Sequence, residues 1–530
     1  MRSRIFWKRA LVFGSPLACI GLFACYDAPV QTPIPKTTQE TKVRVAQNTK
    51  DKVDLLFLID NSPSMAPKQA ELKARFPQLI SILDSFGKDN PADYHIGVVT
   101  SDLGAGPYNI NSGQCHPGGD GGKLQPKGAA ADATCGALGN GVNFIQYNQK
   151  VKDSMGNPTS NLPPNEDLPT AFGCMASVGD RGCGFEQQLE AVYKALHDPI
   201  PENAGFLRDD ALLVVVWVTD EDDDCSIDPS SDLFDPSAAG MMKYGALLSY
   251  RGSQYGVACD PPGSNQGPTM LLPYADSGGV LNSCAPATAA QGAKCFEISR
   301  YTSFFSQPKA NGGVKIDPND VILVGITAPE QPVQSVLANV KAPVGPYQLC
   351  PGPVDPSGSG CAVVLQHSCV SVTNSAFFGD PAVRIRSVIN SVVNPMNKQN
   401  TSICDSSYQQ ALQGLGDIIV SSLKPGCLSS PIENPDTHPD CVVEDVSRNS
   451  DGTTSVSEIP WCGTNDPNAA ANSSTKPCWY LKTDPLCPVV DAAFDGGATQ
   501  QYGVSIIRPA SGAPPNTTAQ VSCATIAVSQ

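Results

Sequence analysis

Val53-Asp54-Leu55-Leu56-Phe57-Leu58-Ile59, followed at once by Asp60-Asn61-Ser62-Pro63-Ser64, decides how this chain is read. The first seven residues are a nearly continuous apolar run. Such a run fits a strand buried on both faces, as in the middle of a parallel sheet. The next five place one carboxylate and two hydroxyls on a tight turn. Beyond the turn, Leu72, Phe76, Leu79, Leu83 and Phe86 recur at spacings of four, three, four and three. Residues 67–86 therefore read as an amphipathic helix, with Pro77 set to kink it.

The same rhythm returns along the chain. His95–Thr100, Leu212–Val218 and Val321–Ile326 are further apolar strands. Phe185, Leu189, Val192 and Leu196 mark a second amphipathic helix. Tyr408, Leu412, Leu415, Ile419 and Leu423 mark a closing one. Strands alternating with helices predict an α/β fold with a central, mainly parallel sheet flanked by helices over residues 51–424. Two long stretches interrupt it. Residues 101–182 are rich in Gly, Asn and Pro and hold three cysteines, and residues 225–297 hold four. Loops of this length inside a domain are functional or locally stapled. After Lys424-Pro425-Gly426 the helical periodicity fades. Residues 425–530, with six cysteines and short β-like runs, read as a small Cys-rich β module.

Composition bounds the function. The chain has 530 residues, 41% hydrophobic and 16% charged, with 47 Gly and 47 Pro, so it is globular and loop-rich. Lys and Arg number 35 against 51 Asp and Glu, a net charge of −16. That excludes the basic footprint of a nucleic-acid binder. No stretch after residue 24 is apolar enough to span a bilayer.

The N-terminus points to export. Arg2, Arg4, Lys8 and Arg9 precede an apolar run, Ala10–Ala24, broken only by Gly14, Ser15 and Pro16. Residues 1–24 have the pattern of a secretory signal. The run ends at Leu22-Phe23-Ala24-Cys25, which resembles a bacterial lipobox, so Cys25 is the expected lipidation site. An ordinary cleaved signal with Cys25 merely nearby is the alternative. Tyr26 rather than Asp follows, which favours the outer membrane or cell surface over inner-membrane retention. Residues 25–50 lack apolar periodicity and read as a flexible tether. Of 20 cysteines, 18 remain after Cys19 and Cys25 are set aside. In an exported chain that number allows nine disulfides. No C-x-x-C pair occurs from Cys115 to Cys523, which argues against a zinc ribbon or a thioredoxin-type site. Sequence does not fix connectivity; Cys174 with Cys183 and Cys284 with Cys295 are candidates by proximity alone.

Candidate chemistry gathers at two strand ends. Asp60, Ser62 and Ser64 follow the first strand, and Thr219-Asp220-Glu221-Asp222-Asp223-Asp224 follows another. In open α/β sheets, ligands collect beyond the carboxyl ends of strands. Carboxylates and hydroxyls are hard oxygen donors, suited to Mg²⁺, Ca²⁺ or Mn²⁺. The same turn also suits a helix cap, and an acidic run is often only a solvated loop. Catalytic patterns are thin. His95, His116, His197, His367 and His438 are isolated, and there is no H-E-x-x-H, G-x-S-x-G or P-loop. Ser447–Gly452 with Glu458 imitates a calcium loop, but an Asp-Gly hairpin turn explains it better.

Taken together, Val53–Ile59, Asp60, Ser62, Ser64, Met65, the following helix and Val214–Val218 with Thr219-Asp220 resemble the von Willebrand factor A domain. That resemblance implies a Rossmann-like fold and a metal-ion-dependent adhesion site. In the family the two serines ligate the ion directly, the aspartates act directly or through water, and a partner carboxylate completes the shell. Carried over, Ser62 and Ser64 would be direct ligands, with Asp60 and Asp220 supplying charge and holding waters. Pro63 replaces the usual Gly between the serines. The family's third-motif Thr has no clear counterpart; the matching loop is Gly182–Glu186, where Glu186 is the nearest oxygen donor, with Thr100 and Asp102 as fallbacks. Gly182–Ala191, Asp223–Ser226, Tyr255–Asp260 and Ser402–Asp405 are also similar to segments of secreted or lipid-anchored A-domain proteins of predatory and social (myxobacterial-type) proteobacteria.

These readings lead to an envelope-anchored binding protein, not an enzyme. Its protein ligand would reach a divalent ion through a carboxylate. The alternatives are a scaffold whose metal site only stabilises it, with the partner held by the Cys-rich insertions, and a secreted hydrolase.

Overall fold

A computed structural model describes residues 39–45, 51–88, 91–110, 114–260, 267–272, 279–340, 349–350, 354–355, 360–423, 426–428, 431–432, 435, 437–448, 454–484, 487, 489–491, 499–509 and 517–525. The expected signal and Cys25 lie outside these residues.

The deciding run forms β1, Lys52–Ile59. Its side chains alternate between two cores. Leu55, Phe57 and Ile59 enter one, Leu56 and Leu58 the other, so both faces are apolar and no polar alternation shows. Six more strands complete the sheet: β2 Asp93–Thr100, β3 Ile145–Lys152, β4 Pro158–Ser160, β5 Leu212–Val218, β6 Val321–Thr327 and β7 Lys398–Ser402. Their order is β7-β6-β5-β1-β2-β3-β4. β7, β6, β5, β1 and β2 run parallel, and β3 and β4 add on antiparallel beyond β2. The expected α/β class with a central, mainly parallel sheet is observed.

Helices cover both faces. α1 (Ala66–Gly87), α2 (Leu168–Ala176) and α6 (Gln409–Leu423) pack on the Phe57 side. α3 (Gln188–His197), α4 (Ser299–Ser306) and α5 (Val383–Ile389) pack on the Leu56 side. α1 continues through Pro77 for 22 residues. An interior proline costs a helix about 3 kcal/mol. Burial of Leu72, Phe76, Leu79 and Leu83 offsets it, each apolar side chain contributing about 1.5–3 kcal/mol.

The stretch 101–182, expected as an inserted loop, supplies β3, β4 and α2. Strand β3 lies between β2 and β4, with Ile145 and Tyr147 opposite Ile96 and Tyr94. The stretch 225–297 carries a three-stranded sheet of Val257–Asp260, Met270–Leu271 and Asn282–Pro286.

Nine disulfides join the 18 expected cysteines. The neighbour pairings are corrected. Cys174 bonds Cys135 and Cys183 bonds Cys115, while Cys284 bonds Cys259 and Cys295 bonds Cys225. Cys174 ends in α2 on one side of the sheet, while Cys183 joins a separate cluster with Phe185 and Phe234. Short separation along the chain therefore does not bring them together.

After residue 425 the described residues hold the strands Cys441–Arg448, Thr454–Ile459, Cys478–Thr483, Tyr502–Ile507 and Thr517–Thr525, with one short helix, Pro467–Ala471. Cys441–Arg448 pairs antiparallel with Thr454–Ile459; residues 449–453 of the calcium-loop mimic lie outside the described residues. The tether reading of residues 25–50 is corrected over Gln39–Val45. That segment is a strand paired antiparallel with Thr517–Thr525, in the sheet that also holds Cys441–Arg448.

Candidate metal centre

β1 and β5 are adjacent, with Ile59 opposite Val218. From β1 the chain winds to β2 on one side, and later to β5, β6 and β7 on the other. The reversal opens a crevice at the carboxyl ends of β1 and β5, the usual ligand position in such sheets. Asp60 N donates to Val218 O at 3.1 Å, and Thr219 N to Ile326 O at 3.3 Å, so both exits are fixed by the sheet itself. Ser62 N then donates to Asp60 Oδ1 at 2.7 Å, closing the turn. A 3-10 turn, Pro63–Met65, leads into α1. Pro63 suits this position, where its fixed φ is helical and no N–H is needed.

The turn and the second strand end meet. Ser62 Oγ and Ser64 Oγ lie 3.1 Å apart. Ser64 Oγ donates to Asp220 Oδ1 at 3.0 Å, and Thr219 Oγ1 donates to Asp60 Oδ2 at 2.8 Å. Asp60, Ser62, Ser64 and Asp220 thus form one cluster. Glu186 joins it from the loop before α3, within hydrogen-bonding reach of Asp60. Gln188 Nε2 bridges Glu186 Oε2 and Thr219 Oγ1, at 3.1 Å to each. The loop comes this close because Gly182 N donates to Asn61 O at 2.8 Å. A Cβ at Gly182 would lie 2.1 Å from Asn61 Oδ1.

Charge is concentrated and enclosed. Burial, then the Asp220 charge, pushes the Asp60 carboxyl up. Burial, then Asp60 and Glu221, pushes Glu186 well above the usual carboxylate range. Two carboxylates this close do not both ionise without a cation. Burial and the Asp60 charge both favour the neutral form of Glu186. Glu186 Oε1 is buried and accepts no hydrogen bond.

One cation of the chain's own is present. Lys68 Nζ lies 2.5 Å from Asp220 Oδ2 and donates to Ser64 O at 3.2 Å, and both charged side chains are fully buried. The ammonium also sits 4.1 Å from the centre of the Phe378 ring. His367 stacks on the same ring and its Nδ1 lies 2.5 Å from Asp380 Oδ1. Asp380 N donates to Asp220 O at 2.7 Å. A short hairpin, Cys369–Val370 with Phe378–Gly379, thereby closes one flank. A disulfide from Cys369 to Cys404 ties it down. A cavity of about 750 Å³ beside this hairpin is lined by Cys369, Ser371, Thr373, Ser406 and Gln410 among others.

Other acidic and fallback residues do local work. Thr100 Oγ1 donates to Asp120 at 2.6 Å, and Asp102 accepts from Gly104 N and Cys183 N. Asp222 accepts from Arg384 N and Ile385 N, capping α5. Asp223 pairs with Arg384 at 3.0 Å. Asp224 keeps a buried, unpartnered Oδ2. Sequence reasoning missed Lys68, Gln188, His367 and Asp380. Lys68 alone carried a local signal, because it stands one helical turn after Ser64.

The donor set fits a hard divalent cation. It offers hydroxyls and carboxylates with an unpartnered carboxylate oxygen among them. Among the described residues, no group of three or more His, Cys, Asp and Glu side chains is gathered closely enough to hold an ion by itself. Any ion here would therefore depend on Ser62 and Ser64.

No family model and no curated protein matches this chain. Among solved structures it is similar to the pilus adhesin RrgA of Streptococcus pneumoniae, at 12% identity and a TM-score of 0.28, over 91% of this chain and 57% of that one. The pilus adhesin SpaC of Lactobacillus rhamnosus GG matches at 9% identity and 0.28, over 91% and 40%. The chain thus spans little more than half of one neighbour and less than half of the other. Likeness at this level carries no argument about function.

Proposed function

We propose that this chain is a von Willebrand A-type binding protein of the bacterial cell envelope, lipid-anchored through Cys25. Its cluster of Asp60, Ser62, Ser64 and Asp220, with Glu186 beside them, holds Mg²⁺, Ca²⁺ or Mn²⁺. The bound ion offers a coordination position to a carboxylate of a protein partner. One observation carries this reading. The turn after β1 and the Thr219-Asp220 pair, 156 positions apart from Ser64 to Asp220, meet in hydrogen-bond contact at the crevice where the winding reverses. Export is supported by nine disulfides, which persist in oxidising compartments.

A second reading is favoured by the Lys68–Asp220 ion pair. On that reading the cluster is chiefly a structural staple, and the partner binds the inserted segments. Mn²⁺ titration followed by electron paramagnetic resonance separates the two. The first reading expects stoichiometric binding to the oxidised chain, lost in a Ser62→Ala/Ser64→Ala chain that remains folded. Equal binding by both chains would remove the assignment.

A further inference from the structure

We propose that Lys68 is a built-in counter-ion of the cluster and the residue that sets how tightly a divalent cation is held. This deepens the reading above and rests on it. Lys68 stands one turn into the structure after Ser64, so its side chain reaches back to the loop that carries both serines. Its ammonium meets Asp220 Oδ2 at 2.5 Å and Ser64 O at 3.2 Å, against the face of Phe378. Neither charged side chain is exposed to solvent. A buried Asp220 with no cation would be strongly unfavourable. Lys68 removes that penalty from inside the fold, so the cluster stands closed without any ion.

The same charge opposes a second cation. An incoming ion meets an Asp220 already neutralised, and a fixed positive charge held in a low-dielectric surrounding. Lys68 therefore lowers divalent affinity and restricts occupancy to high ion concentration. A neutral side chain of similar length reverses both effects. The fold then depends on an ion, and the ion binds tightly.

The test is Mn²⁺ titration calorimetry on the oxidised full chain, comparing wild type, Lys68→Met, Lys68→Gln, Lys68→Arg and Asp60→Ala. Lys68→Met is expected to bind Mn²⁺ at least tenfold tighter than wild type. Lys68→Arg should stay near wild type and Asp60→Ala should bind weakly. A Lys68→Met chain that folds with Mn²⁺ but not with EDTA also supports the proposal. If wild type binds Mn²⁺ and Lys68→Met binds no tighter, this inference alone fails. If no variant binds, the metal-site reading fails with it. If neither Lys68→Met nor Lys68→Gln folds with Mn²⁺ present, an ion does not replace the ammonium and the proposal is overturned.

Discussion

The hydroxyl of Ser64 donates to the carboxylate of Asp220 at 3.0 Å, joining the ends of the first and the third parallel strands of the chain at one point. Ser62 Oγ contacts Ser64 Oγ instead. The two serines are therefore unequal without an ion. In EDTA, Ser64→Ala should cost about 1–3 kcal/mol, because it strips a donor from a buried carboxylate. Ser62→Ala should cost less. Chemical denaturation of the two variants side by side measures the difference.

Arg384 is fully buried, pairs with Asp223 and donates to Gly256 O and Phe296 O. It binds the 225–297 segment to α5. Arg384→Met leaves Asp223 buried without a cation and should destabilise by about 3–5 kcal/mol. Arg384→Met with Asp223→Asn should recover part of that loss. A double-variant cycle by denaturant unfolding reads the coupling.

His95 Nδ1 lies 2.9 Å from Phe206 O in a mostly buried setting, and burial pushes its pKa below the ordinary value. The folded state thus binds fewer protons than the unfolded state once pH falls below the unfolded histidine value of about 6.5. The stability that neutral His95 contributes is present above that pH and is lost as pH falls toward its folded pKa. His95→Asn should flatten the decline in stability between pH 7 and pH 5 relative to wild type, in paired urea titrations.

Non-reducing peptide mapping should recover Cys115 linked to Cys183 and Cys135 linked to Cys174, with no Cys174–Cys183 peptide. Removing the Cys225–Cys295 bond, which spans 70 residues, should cost about 2–5 kcal/mol. Thermal unfolding of a Cys225→Ala/Cys295→Ala chain checks that magnitude.

The parallel core was legible because β1, β2, β5 and β6 are buried on both faces and so read as unbroken apolar runs. Strand β7, Lys398-Gln399-Asn400-Thr401-Ser402, was not, since it lies at the sheet edge and carries almost no apolar residue. Gln39–Val45 escaped for a related reason. Its partner, Thr517–Thr525, lies at the other end of the chain, and only the pairing makes it a strand. Asp60, Ser62, Ser64 and Asp220 were visible because each follows a strand that the sequence announces. The counter-charges were hidden. Lys68 stands one turn after Ser64 yet reads as one more polar position on α1, and Asp380, paired with His367, lies 160 positions beyond Asp220. Disulfide partners were hidden as well, since chain proximity says nothing of which face of the sheet a cysteine reaches.

Thermal unfolding of the oxidised chain in EDTA, Mg²⁺, Ca²⁺ or Mn²⁺, beside Asp60→Ala, tests the central claim most directly. An ion that binds only the folded state adds about 2.7 kcal/mol at a hundredfold excess over its dissociation constant. The metal-site account predicts a higher midpoint with at least one of these ions, and no rise in Asp60→Ala. An unchanged midpoint with all three ions, or an equal rise in Asp60→Ala, would contradict it.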